Sequence, residues 1–325
     1  MARLQGFSDM SDIKREDIHI IGRYSSWSEK GIETMLKDHV YNSKASWQKF
    51  LRLLFISLGV GFTAAGIIFF FAYNWAELHK FVKIGLIEGL IILITAVVLF
   101  SKHSLQIKNI LLTGASILVG VLFAVFGQVY QTGANAYDFF LSWTLFITLW
   151  VLISNFAPLW LIFITLVNTT LILYAEQVAH SWSEVFLFTL LFGMNSLFLI
   201  GFLAAKKIFS QLNAPKWFLN LLGLASASFG TIGVVIGIFD DAEPSFLVLI
   251  LLAFLLYALG ILYGLRKKSG FYLSIIPFSI IICLSAYFIK LSDSAGMFFF
   301  IGLFVIASVT LVIKKLIDFQ KKWTS

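Results

Sequence analysis

The sequence predicts an all-α integral membrane protein: a bundle of about ten transmembrane helices behind a short N-terminal amphipathic helical segment. Three observations lead there. Of 325 residues, 59% are apolar and 13% charged, against roughly 45–50% and about 25% in soluble domains. The apolar residues fall in repeated windows long enough to cross a hydrocarbon core of roughly 30 Å at ~1.5 Å per helical residue. Lysine and arginine gather at alternate ends of these windows, as the positive-inside pattern requires. A barrel would show short alternating segments instead.

Residues 1–50 are polar enough to lie outside the bilayer. Within "SSWSEKGIETMLKDHVY", Trp27, Ile32, Met35, Leu36 and Val40 approximate one helical face, and Ser26 with Glu29 has capping-box spacing. The segment is too small for a self-sufficient core and is expected to dock on the bundle, the headgroups or a partner. Its eight basic and seven acidic residues nearly cancel, which argues against a polybasic lipid sensor. No signal-peptide pattern precedes it, so cleavage is not expected.

Spans are expected at 51–73, 82–100, 110–127, 139–154, 157–174, 184–205, 217–239, 245–264, 271–289 and 295–313, giving a transmembrane domain over 51–313 and a C-terminal tail over 314–325. With the N-terminus cytoplasmic, all lysines and arginines except Lys80, Lys83 and Lys290 fall on the inner side, and the acidic loop "DDAEPS" falls outside. Both termini are therefore expected in the cytoplasm. Ten spans also divide into two sets of five, the count of an inverted-repeat transporter, although the halves show no convincing internal likeness.

Composition excludes several chemistries. The net charge of +7 is spread in short clusters beside apolar runs, so nucleic acid is not an expected partner. Histidines 19, 39, 79, 103 and 180 lack metal-ligand spacing, and the single cysteine, Cys283, permits neither a CxxC site nor an intrachain disulfide. No nucleophile elbow, phosphate loop or dinucleotide fingerprint is present. The chain is expected to be no enzyme and to hold no cofactor or metal.

The remaining candidates are polar groups near the outer boundary. In "FAYNWAEL", Asn74 and Glu77 have N-cap and N3 spacing, while Tyr73 and Trp75 sit at an interfacial depth. Glu88 lies about six residues inside the second span, roughly 9 Å deep. It is flanked by the GxxxG pair Gly85 and Gly89, which lets another helix approach closely. Two readings stand for Glu88: a proton or cation site, or a structural carboxylate paired with Lys83 or a neighbouring helix. Two more GxxxG pairs, Gly233 with Gly237 and Gly260 with Gly264, and the amides Asn168 and Asn195 point to helix packing.

The stretch "GQVYQTGANAYD" follows the third span. Were the helix to continue through Thr132, Gln128, Gln131 and Thr132 would share one side, with Gly133 as C′ residue. The amides, with Asn135, then either cap helix ends or line a polar pocket walled by Tyr130 or Tyr137. Glu88, Gln128 and Gln131 share a depth and could share that pocket.

"GIIFFFAYNWAELHKFVKIGLIE" and "GQVYQTGANAYDFFLSWTLFITLWVLISNFAPLWL" resemble the predicted bacterial membrane proteins grouped as domain of unknown function 2157, over roughly residues 20–180. The resemblance implies a multi-pass protein of the bacterial cytoplasmic membrane with no assigned activity. It also implies a candidate partner, a second polytopic protein named for a GDYXXLXY motif that this chain lacks. The expected function is a transporter-like protein for a small solute; the alternative is a non-catalytic scaffold or subunit of a membrane complex.

Overall fold

The computed structural model describes residues 15–24, 27–39, 41, 43–73, 79–131, 133–208, 214–240, 243–292 and 294–324. Among them every regular element is an α-helix, and ten helices are long and apolar enough to cross a membrane. The protein is an all-α polytopic membrane protein. Packing divides the chain into two units, residues 1–75 with 98–114, and residues 76–97 with 115–325.

The first unit opens with two short helices, α1 (Arg15–Tyr24) and α2 (Glu29–His39), where the sequence suggested one. They pair because each has an apolar stripe too narrow to bury alone: Ile18 and Leu36 are buried. Gly22 lies under Ile32, and a Cβ there would stand 2.6 Å from the Ile32 Cδ1. At the start of α2, Ser28 accepts the Gly31 N–H at 3.2 Å; the expected cap residue Ser26, and Val40, lie outside the described residues.

Helix α3 (Lys44–Tyr73) starts well before the expected span. Ser43 caps it by accepting the Ser46 N–H at 3.2 Å, and the lead-in "KASWQKF" contains no helix breaker, so the helix persists outside the apolar core. Trp47 meets Phe50 edge-on there, with centroids 5.7 Å apart. Deeper in this unit Val60 packs over Gly114, leaving no room for a side chain at that glycine.

Helices α4 (Lys80–Phe100) and α5 (Leu105–Tyr130) each run from one unit into the other. The second unit continues with α6 (Ala136–Ser154), α7 (Ala157–Gln177), α8 (Glu184–Ile208), α9 (Lys216–Phe239), α10 (Pro244–Arg266), α11 (Gly270–Leu291) and α12 (Ala295–Thr324). Each begins within a few residues of its expected start. Helix α12 continues past the expected end of its span at 313, through residues 314–324.

Small residues decide how closely these helices approach. The Trp143 indole of α6 lies on Gly120 of α5, where a Cβ would be 2.6 Å from the ring, and its N–H donates to the Ser116 carbonyl at 2.7 Å. Helix α9 is the most enclosed, with half of its most apolar window buried. Its glycines accept bulky neighbours: Tyr272 against Gly223, Phe192 against Gly230, Phe188 and Leu249 against Gly233, and Phe246 against Gly237. Ile276 and Leu273 of α11 fill Gly260 and Gly264 of α10 in the same way. These two GxxxG pairs are packing surfaces within the bundle, as expected. Helix α12 meets α11 through Phe300 and Phe304, whose rings stand 5.3 and 5.1 Å from Phe288.

Candidate functional site

Two groups of polar side chains compete for the role of functional site, one near the expected outer boundary and one buried. The first contains most of the residues that sequence singled out. Helix α5 ends at Tyr130, short of Thr132, because Gln131 turns into the left-handed region at φ 45° while its N–H still donates to the Gly127 carbonyl at 3.0 Å. The helix on which Gln128 and Gln131 were expected to share one side therefore stops before Gln131. Gly133 also has positive φ, 64°, which a glycine adopts without a steric penalty; Thr132 lies outside the described residues.

From there the chain caps α6. The Asp138 carboxylate accepts the Asn135 N–H at 3.2 Å, and Gln177, at the end of α7, accepts the Tyr137 N–H at 3.0 Å. Both bonds satisfy amides that the first turn of α6 would otherwise leave without partners. The Tyr137 ring meets Tyr174 edge-on at 5.3 Å, Tyr174 meets Trp182 at 5.5 Å, and Trp182 meets Phe186 at 5.1 Å. Tyr137 thus belongs to an aromatic row joining α6, α7 and α8. Gln177 was not singled out from sequence, since its partner is a backbone group forty positions away.

Gln128, Gln131 and Asn135 are exposed, as is Glu88 on α4, and no hydrogen bond joins these four among the described residues. Tyr130 is exposed and leans on Phe126, 4.5 Å between centroids. Tyr73 is 90% exposed at the end of α3; Asn74, Trp75 and Glu77 lie outside the described residues. The suggested Glu88 and Lys83 pairing meets a geometric obstacle. Five positions along a helix turn about 140° at 3.6 residues per turn, and Lys83 shares the buried stripe with Ile87 and Ile91 while Glu88 is exposed. A Cβ at Gly85 or Gly89 would meet nothing within 4 Å.

The second group sits inside the bundle. Asn168 of α7 and Asn195 of α8 exchange reciprocal amide bonds of 3.1 and 2.7 Å, and the Asn195 amide also donates to the Leu191 carbonyl at 2.8 Å. The interhelical pairing read from sequence is present. One position along, Ser196 bonds Ser226 of α9 at 2.6 Å. Further along α9, Thr231 bonds Ser279 of α11, which bonds the Tyr257 hydroxyl of α10 at 2.6 Å.

Proton counting gives this last chain a direction. Thr231 donates to the Ala227 carbonyl at 2.6 Å, so its oxygen can only accept from Ser279. Ser279 in turn accepts from Tyr257. Every hydroxyl proton along Tyr257, Ser279 and Thr231 is committed, and the series ends on a helix carbonyl. The arrangement ties three helices together and leaves no spare donor for a solute.

The two groups also differ in kinship. Residues 28–160 match the family described as "Predicted membrane protein (DUF2157)". That is the family suggested by the two quoted motifs. The match takes in α2 through α6 and the polar stretch of residues 127–138, and it ends before Asn168, so the buried network lies beyond it. No curated protein and no solved structure matches the chain.

Proposed function

We propose that this polytopic membrane protein works as a non-catalytic subunit that docks a second polytopic protein, in the bacterial cytoplasmic membrane with both ends in the cytoplasm. The orientation rests on the distribution of lysine and arginine, and the membrane assignment on the family resemblance. The docking reading is carried by one observation on α4. Glu88 stands exposed about eight residues, or ~12 Å, into the helix, between two glycines whose Cβ positions are open. A carboxylate within a span costs about 2.5–3.5 kcal/mol at the bilayer centre unless it is paired or hydrated. A transmembrane helix with a basic or amide side chain, seated on the Gly85 and Gly89 groove, would relieve that cost. The transporter-like reading has less support, because the buried amides and hydroxyls bond mainly to one another.

The test is isolation of the chain from native membranes in mild detergent. A bound membrane protein should be released by Gly85→Leu and by Glu88→Gln, with the thermal midpoint of the chain unchanged. If instead the chain is isolated alone and carries a pH-dependent flux in proteoliposomes that Glu88→Gln abolishes, the subunit reading fails and the transporter-like one replaces it.

A further inference from the structure

We infer that the basic end of α12 is a binding site for the headgroup of an anionic phospholipid. Residues 295–313 of this helix carry no charge and span about 28 Å at ~1.5 Å each, enough for a hydrocarbon core. The helix does not stop there. It continues through "KKLIDFQKKWT" to Thr324, so its lysines are held on a rigid rod rather than on a loose tail.

At 100° per residue, Lys314, Lys315, Lys321 and Lys322 fall within an arc of about 120°, Phe319 borders that arc beside Lys315, and Leu316 and Trp323 lie on the far side. All four lysines are exposed. The Phe319 and Trp323 rings stack at 6.0 Å with planes 11° apart, beyond the apolar part of the helix. Lys315, Asp318, Phe319, Lys321 and Lys322 line a shallow concavity on the basic side. Asp318 lies in the middle of the lysine arc and offsets one positive charge, leaving a net +3 over residues 314–324.

Position selects the ligand. Lys314 and Lys315 begin where the apolar run ends, at the level of lipid phosphates, and Lys321 and Lys322 stand about 10 Å further along the axis. A headgroup phosphate is the anion available at the level of Lys314 and Lys315, with Lys321 and Lys322 about a Debye length away, and a lysine close to a negatively charged leaflet contributes on the order of a fivefold gain in binding.

The full chain in detergent, titrated with phosphatidylglycerol or phosphatidylcholine and weighed as the intact complex, tests this. Phosphatidylglycerol should be retained preferentially. Replacing Lys315, Lys321 and Lys322 together by glutamine should remove the preference, the same three changes to arginine should preserve it, and Asp318→Asn should strengthen it. Inorganic phosphate should not displace the lipid; displacement would assign the site to free phosphate and overturn the proposal. Equal retention of the two lipids by the unaltered chain, or selectivity unchanged in the glutamine variant, would overturn it as well. So would loss of selectivity in the arginine variant, since charge would then not be the cause.

Discussion

Asn168 and Asn195 show how a polar side chain behaves when its surroundings offer no water. Each amide would cost about 1–3 kcal/mol if buried without a partner, whereas removing both partners together is nearly neutral. The pair therefore should be strongly non-additive. Asn195→Leu alone is expected to destabilise the bundle by about 1–3 kcal/mol, because Asn168 loses both of its bonds to Asn195. The double replacement with Asn168→Leu should recover much of that loss. Reversible unfolding in mixed micelles measures both, and a double variant that costs the sum of the singles would show that the amides act separately. Ser279→Ala should cost less, since the Tyr257 hydroxyl retains the Ala227 carbonyl at 3.4 Å as a weaker acceptor.

At the level of elements, the Glu243 carboxylate at the start of α10 accepts from Ser245 at 2.9 Å and faces Ser183, which precedes α8. Hydrogen bonds from Ser183 and Ser245 hold the Glu243 carboxyl below its ordinary range. Because its folded pKa is lowered, this carboxylate adds stability above the pKa of the unfolded chain and loses it as pH falls through the folded value. Amides near Phe186 and Phe246 should exchange faster with solvent once the pH drops below the carboxylate range. Glu243→Gln should remove that pH dependence, which hydrogen exchange across the two helix starts would detect. Element positions themselves were legible from sequence, because uninterrupted apolar length and flanking charge both mark a span. What escaped was local or long-range. The α1 and α2 pair has stripes of only a few residues; the left-handed Gln131 ends α5 two residues before the glycine that marks the expected stop; and Gln177 and Tyr257 bond partners 40 and 22 positions away. The hydroxyls of α9 are hidden for a related reason. In "LASASFGTIGVV" serine and threonine read as small packing residues, which they also are.

For the whole molecule, orientation is a claim about where charge can cross a membrane. Arg266, Lys267 and Lys268 close α10, Lys216 opens α9, and Lys314 and Lys315 follow the apolar part of α12. If α10 runs inward, α11 returns outward and α12 inward again, and all these groups fall on one side, with Ser292 between α11 and α12 on the other. Holding several of these cations outside would oppose the insertion bias that sets topology in short loops. On the proposed orientation these cations all face the cytoplasm, in keeping with that bias. After Cys283→Ser, single cysteines at Ser104 and Ser269 should resist an impermeant thiol reagent in intact cells and react after the membrane is opened, while one at Ser292 should react at once. Labelling in the reverse sense would invert the molecule and place the basic end of α12 on the outer leaflet. Agreement at Ser104 but not at Ser269 would mean that the number of crossings between them is odd, and one of α5 to α10 would then not span.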